Sequence, residues 1–176
     1  MTSFRPLAMF AAALGALGLS SPALAHPGHA LGTGALTGFV HPFTGLDHLT
    51  AMVCVGLWAA RAYPGKALAL PAAFMAAMVA GFAFGRMGLA VPAEPVILVS
   101  MPLLALGAIF APRVKLGLAM AITGFFALAH GFAHAAEASG SHFAFGMAML
   151  VATALLHGFG LALGRGLDSL GLRRRA

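Results

Sequence analysis

Long apolar runs separated by short polar breaks make up most of the chain from about residue 43 onward. Each run is close to the ~20 residues that a helix needs to cross about 30 Å of hydrocarbon. Backbone polar groups in lipid must be paired within their own segment, so runs of this length favour helices. The pattern predicts an all-α, polytopic membrane helix bundle with five transmembrane helices, at 43–60, 67–85, 91–110, 114–134 and 143–164.

A short apolar, glycine-rich stretch at 31–40 precedes the first predicted span and is too short to cross a membrane alone. Pro42 lacks a backbone donor and disfavours the helical conformation at His41. We therefore expect a re-entrant or interfacial segment that leads into the first span. A single long, kinked first helix is the alternative.

The first 25 residues have the pattern of a secretory signal peptide. Arg5 precedes an apolar stretch, and Ala23 and Ala25 supply the small side chains of a cleavage site. Cleavage would leave 26–176 as a single transmembrane helical domain. An uncleaved anchor is the alternative, and both readings give the later spans the same topology.

Composition and charge agree with this pattern. The chain is 61% hydrophobic and 8% charged, whereas soluble domains are about 45–50% apolar and about 25% charged. Its partner is therefore a lipid bilayer. The net charge of +6 does not indicate nucleic acid, because most basic residues occur singly or in pairs between apolar runs. A single cysteine excludes a disulfide framework and a thiolate zinc cage.

The basic residues also predict an orientation. With the mature N-terminus outside, only Arg86 falls in an outer loop. The inner side then holds Arg61, Lys66, Arg113, Lys115, Arg165 and Arg173 to Arg175. Because inner loops are enriched in Lys and Arg, we expect the N-terminus to be periplasmic and the C-terminus cytoplasmic.

The first polar cluster is the segment His41-Pro-Phe-Thr-Gly-Leu-Asp47-His48, at the outer end of the first predicted span. It places two imidazoles and a carboxylate at the mouth of an apolar run. Ionisable groups inside a bilayer are costly unless paired, so this cluster is a hypothesis for a functional site. Structural pairing of the side chains is the plainer alternative.

The second cluster, His130-Gly-Phe-Ala-His134-Ala-Ala-Glu137, lies near the outer end of the fourth predicted span. Its spacing places all three side chains on one helical stripe. Two such sets on facing helices resemble metal sites in bundle cores, and neutral imidazole with carboxylate suits nickel, cobalt, zinc or iron. We therefore predict six metal ligands: His41, Asp47, His48, His130, His134 and Glu137.

Three further histidines are candidates for secondary metal binding. His26 and His29 lie beside the predicted mature N-terminus. His157 begins a His-Gly-Phe tripeptide that repeats the one at His130, and it falls in the inner half of the fifth predicted span. It is a candidate second station on a path that begins at the outer cluster.

The two clusters resemble the two signatures of the HupE/UreJ family. These are small bacterial inner-membrane proteins associated with hydrogenase and urease maturation and understood as nickel permeases. The resemblance implies that the six clustered residues form the transport site and that the protein lies in the cytoplasmic (inner) membrane. The pattern departs at two places, where Ala129 stands for the usual Phe and Ala135 for the usual Gly.

The expected function is therefore a permease for divalent nickel or cobalt, with the ion as its transported ligand, no permanently bound cofactor and no enzymatic activity. A non-transporting metal-binding scaffold or sensor for metalloenzyme assembly is the alternative. A serine hydrolase built on Ser139-Gly-Ser141-His142 is disfavoured, because adjacent side chains do not meet well. The metal, the energy coupling, any homo-oligomer or accessory-protein partner, and the choice between urease and hydrogenase stay open.

Overall fold

The structure is a computed structural model that describes residues 34–170. Six α-helices make up almost all of this part: α1 Ala35–Thr44, α2 Leu46–Ala62, α3 Ala69–Arg86, α4 Ala93–Phe110, α5 Leu116–Glu137 and α6 His142–Ser169. A short 3-10 turn, Pro64–Lys66, follows α2. The predicted signal peptide and the candidate ligands His26 and His29 lie outside the described residues.

The predicted polytopic membrane helix bundle is confirmed. Helices α3, α4, α5 and α6 are each long and apolar enough to cross a membrane. Helices α1 and α2 meet the same standard only together, and their axes differ by 77° across the break between them. This bent pair takes the place of the predicted first span and of the re-entrant or kinked segment before it.

The backbone break lies at Gly45, not at Pro42. Both His41 and Pro42 are within α1, which continues to Thr44. The carbonyl of His41 accepts hydrogen bonds from Oγ1 of Thr44, at 3.0 Å, and from the backbone N–H of Gly45, at 3.2 Å. The helix therefore continues through Pro42 although proline lacks a backbone N–H. It ends at Thr44, where the carbonyl of His41 has local partners.

Two pairs of helices approach each other backbone to backbone through glycine. Gly81 of α3 and Gly131 of α5 lie against each other's helix, and Gly56 of α2 and Gly160 of α6 do the same. A Cβ atom at any of these positions would overlap a carbonyl of the opposite helix. Small residues that let backbones approach closely are a common means of packing helices in membranes.

The C-terminal ends of α2, α4 and α6 are tied together by one side chain. Arg61 of α2 donates through Nη1 to the carbonyl oxygens of Ala108, at 2.9 Å, and Ile109, at 3.1 Å, in α4. Its Nε atom lies 3.9 Å from Oδ1 of Asp168 in α6. At the other end of the bundle, the N–H of Gly34 donates to the carbonyl of Ser139, which fixes the start of α1 beside the start of α6.

Candidate metal centre

All six residues of the two predicted clusters meet where three helices end. The last turn of α1 supplies His41, and the first turn of α2 supplies Asp47 and His48. The last two turns of α5 supply the remaining three, His130, His134 and Glu137. We call these six candidate ligands the metal centre.

The imidazole of His48 lies in the middle of the centre. Its ring centroid is 5.0 Å from that of His41, 4.5 Å from that of His134 and 5.1 Å from that of His130. The rings of His41 and His134 are also 5.0 Å apart. Four imidazoles from three helices therefore form one cluster, in which His130 is joined to the others through His48.

Three of these imidazoles come close enough to share one ion. His41, His48 and His134 each offer a nitrogen, and the three nitrogens lie within 4.8 Å of one another. Metal–nitrogen bonds are about 2.0–2.1 Å long, so the nitrogens of a tetrahedral site are about 3.3–3.4 Å apart. A contraction of no more than about 1.5 Å would bring the three onto one cation. His130 lies one helical turn deeper, outside this group of three.

In His130 and His48, Nδ1 faces a hydrogen-bond acceptor, as one ring nitrogen of a metal-binding histidine usually does. Nδ1 of His130 is 2.9 Å from the carbonyl oxygen of Phe126. A carbonyl can only accept, so Nδ1 carries the proton and Nε2 carries the lone pair. Nδ1 of His48 lies 2.8 Å from Oδ1 of Asp47, an acceptor when ionised, so the same tautomer is favoured there. Such partners orient a ligating imidazole and make it more basic.

The opposite nitrogens are buried without partners. Nε2 of His48, of His130 and of His134 has no hydrogen-bond partner among residues 34–170. His130 and His134 are completely buried and His48 nearly so. Buried polar atoms are normally satisfied, so three unpaired nitrogens in one place call for a functional explanation.

Glu137 joins α1 to α5. Its Oε2 atom lies 3.1 Å from Nε2 of His41 and 3.5 Å from Nδ1 of His134. The carboxylate thus supports His134 in the way that Asp47 supports His48. With both carboxylates engaged by histidines, the centre combines imidazole ligands with two nearby negative charges when these groups are ionised.

The break at Gly45 makes the Asp47–His48 pair possible. A Cβ atom at Gly45 would lie 2.7 Å from Oδ1 of Asp47 and 3.0 Å from Nδ1 of His48. The absence of a side chain leaves that volume to the carboxylate and the imidazole. Asp47 is also in the first turn of α2, where the positive end of the helix dipole favours an anion.

Two residues have positions that bear on the other sequence hypotheses. His157 is buried in α6 and does not join the six-residue centre. The hydroxyl oxygen of Ser141 accepts a hydrogen bond from the backbone N–H of Ala144 at 3.3 Å and so caps α6. That role accounts for the serine without a catalytic one.

Sequence reasoning missed Phe74 of α3. Its ring centroid lies 5.6 Å from that of His130 and 5.1 Å from that of His157. Phe74 stands in an apolar run among many similar residues, so no spacing or motif marks it. Only the packing of α3 against the other helices identifies it as a neighbour of both imidazoles.

Comparison with known proteins supports the resemblance seen in the two motifs. The family described as HupE / UreJ protein matches residues 14–174, which is most of the chain. The chain belongs to the HupE/UreJ family. A HupE/UreJ relative, Protein HupE of Rhizobium leguminosarum bv. viciae, is 41% identical over 155 residues, which cover 85% of this chain and 80% of the relative. No solved structure gives a significant match.

The two departures from the HupE/UreJ pattern lie in helix packing. Ala129 packs in a small apolar group with Ala93 and Ile97 of α4. Ala135 lies against Gly85 of α3, close enough that a Cβ on that glycine would touch it at 2.5 Å. Neither position contributes a polar atom to the metal centre, so the departures leave its donor set intact.

Proposed function

We propose that this HupE/UreJ protein is a permease that carries Ni²⁺, or Co²⁺, across the bacterial inner membrane for hydrogenase or urease maturation. One observation carries the proposal: nitrogens of His41, His48 and His134 lie within 4.8 Å of one another in a membrane-spanning bundle, beside two carboxylates, and Nε2 of His48 and of His134 is buried with no hydrogen-bond partner among residues 34–170. Polar groups inside a membrane that serve only the fold are normally paired. Imidazole and carboxylate are suitable donors for nickel and cobalt.

The donor set suits a site that must both bind and release. A permease site has to replace part of the ion's hydration shell without holding the ion too strongly. His41, His48 and His134 would bind as neutral bases, while Asp47 and Glu137 offset the charge of the cation. Because His41 and His134 come from different helices, a change in the angle between α1 and α2 would separate them and open the site.

We further propose that the metal centre faces the periplasm and that the ion moves inward. The distribution of Lys and Arg supports this orientation. The membrane potential would then favour inward movement by about 2.3 kcal/mol per charge per 100 mV. In the same proposal residues 1–25 are a signal peptide and residues 26–176 a single membrane domain. The mass of the purified mature protein tests that cleavage.

Uptake of Ni²⁺ into proteoliposomes tests the permease proposal. Purified protein is reconstituted into sealed vesicles that contain a Ni²⁺-sensitive fluorophore, and Ni²⁺ is added outside. We expect saturable uptake that exceeds uptake by protein-free vesicles and by vesicles with the His48→Ala variant. Equilibrium Ni²⁺ binding by the same preparation, without any flux, would contradict the permease and support the scaffold or sensor.

A further inference from the structure

A second polar position lies deep in the bundle, outside the metal centre. His157 of α6 is 1% exposed, and its Nε2 atom has no hydrogen-bond partner in the described part of the chain. Thr153, one helical turn earlier, is completely buried, and its Oγ1 atom has no such partner either. Positions four residues apart lie on the same helix face. Two buried, unsatisfied ligand atoms therefore share one face of α6.

This pair lies well below the metal centre. The backbone carbonyl of His157 contacts Gly56 of α2. Gly56 follows His48 by eight residues on the same helix, which corresponds to about 12 Å at a rise of 1.5 Å per residue. Measured along the axis of α2, the backbone of His157 therefore lies about 12 Å from the level of His48, toward the end of α2 that carries Arg61.

A continuous row of rings joins the two positions. From His48 the row passes to His130, then to Phe74 and then to His157, with successive centroids 5.1, 5.6 and 5.1 Å apart. Side chains on a helix tilt toward its N-terminus. Since α5 and α6 are joined by a short loop at the end of the bundle nearest the centre, the side chain of His130 tilts away from that end and the side chain of His157 tilts toward it. The ring of Phe74 lies between the two imidazoles and contacts each of them.

We propose that His157 and Thr153 form a second, weaker station for the transported divalent cation, separated from the metal centre by the ring of Phe74. The inference rests on the proposed permease function. An imidazole nitrogen and a hydroxyl oxygen give this station two neutral donors, and no carboxylate of the described residues pairs with His157. A site with fewer donors and no neighbouring negative charge holds a cation less strongly, as release toward the far side requires.

Comparing binding with flux in the same variant tests the second station. Ni²⁺ affinity of the purified protein reports on the stronger metal centre, and Ni²⁺ uptake by proteoliposomes reports on the whole path. We expect His157→Gln to reduce the uptake rate at least about tenfold while the affinity changes less than about twofold. His142→Gln is the matched control, because His142 begins the same helix, is not buried and is outside the centre. Its uptake and affinity should equal those of the wild type.

Each other result overturns the second station in a recognisable way. Wild-type uptake by His157→Gln removes the station and leaves the permease standing. An equal loss of affinity and uptake shows that His157 acts through the metal centre, which also contradicts a separate station. Absence of uptake by the wild-type protein itself rejects the permease and the station together.

If His157→Gln does not fold, substitution of Phe74 provides a second test of the station. Phe74→Leu keeps an apolar side chain but removes the ring between the two imidazoles. We expect Ni²⁺ uptake to rise at least about threefold while affinity stays within about twofold of the wild type. Phe84→Leu, an exposed change on the same helix, is the control and should have no effect. Wild-type uptake by Phe74→Leu contradicts a barrier between two stations.

Discussion

Helix α2 carries ionisable side chains at both ends, and their partners differ. At the C-terminal end, the guanidinium of Arg61 donates to two carbonyl oxygens of α4 and lies beside Asp168 of α6. At the N-terminal end, one ring nitrogen of His48 faces Asp47, and the other, buried nitrogen has no partner in the part of the chain that the structure describes. The contacts of Arg61 join the ends of three helices. The contacts of His48 leave a nitrogen that could bind a metal ion.

The contrast shows that burial of a polar group alone does not identify a functional site. The side chain of Arg61 is only 8% exposed, which is unusual for a charged residue, yet its contacts explain its presence through the carbonyl groups it satisfies. Three imidazoles of the metal centre, those of His48, His130 and His134, each keep one ring nitrogen without a hydrogen-bond partner among residues 34–170. Substitutions at the two ends of α2 should therefore affect different measurements, and the following experiments test this difference.

The largest effect is expected from His48→Ala. Loss of the central imidazole should lower Ni²⁺ affinity by at least about 100-fold, since loss of a mere supporting partner already costs about 10–100-fold. Titration calorimetry on the purified protein measures the affinity, with His142→Ala as the control. An affinity within twofold of the wild type would show that His48 is not a ligand.

Asp47→Asn should have the next largest effect. The amide keeps the size of the side chain but removes the negative charge that faces Nδ1 of His48. We expect Ni²⁺ affinity to fall by about 10–100-fold, the usual effect of losing a partner that orients a ligating histidine. The same calorimetric titration measures it. Unchanged binding and uptake would mean that the carboxylate neither orients the imidazole nor offsets the charge of the ion.

Gly45→Ala tests whether the helix break positions the centre. The added methyl group would push against Asp47 and His48, so we expect Ni²⁺ affinity to fall by roughly fivefold, less than the loss of a supporting partner. Gly65→Ala is the matched control, because a Cβ at Gly65 has nothing within 4 Å. If both variants bind Ni²⁺ as the wild type does, the spacing at Gly45 does not matter.

Arg61→Gln should have the smallest effect on metal binding. Hydrogen bonds to charged groups are worth about 1.5–3 kcal/mol each, and a change of 1 kcal/mol shifts the unfolding temperature by about 2–4 °C for a chain of this size. Two such bonds are lost, so we expect an unfolding temperature at least about 6 °C lower, with Ni²⁺ affinity within about twofold of the wild type. Arg165→Gln, at an exposed position of α6, is the control in a thermal unfolding assay. A large loss of Ni²⁺ affinity in Arg61→Gln would remove the distinction between the two ends.

Much of the fold follows from local sequence. The length of each apolar run predicted a membrane helix, since paired backbone groups are required wherever lipid surrounds the chain. The predicted ends differ from the observed ones by a few residues, as in α6, which continues to Ser169. The break at Gly45 was not predicted at the right residue, because Pro42 is the stronger local signal, and the space that Gly45 leaves for Asp47 and His48 is visible only in the folded structure.

The six residues of the candidate centre were all predicted from sequence, because several ionisable groups at one depth in an apolar chain are costly unless they work together. The sequence did not predict which of them lie beside ring nitrogens and which could share one ion. Spacing alone gave no reason to place Asp47 and Glu137 beside ring nitrogens, with His130 one turn below the group of three. Nor did it indicate Phe74, which carries no polar atom.

The sequence by itself determined that this chain is a helical membrane protein with two polar clusters, because hydrophobicity and helical periodicity act over neighbouring residues. Only the tertiary structure decided which nitrogens are held by carboxylates or carbonyls and which are left unpaired. Those contacts join α1, α2 and α5, and His157 with Phe74 joins α6 and α3. Such contacts depend on how closely glycine lets the helices approach, and no pattern along a single segment encodes that distance.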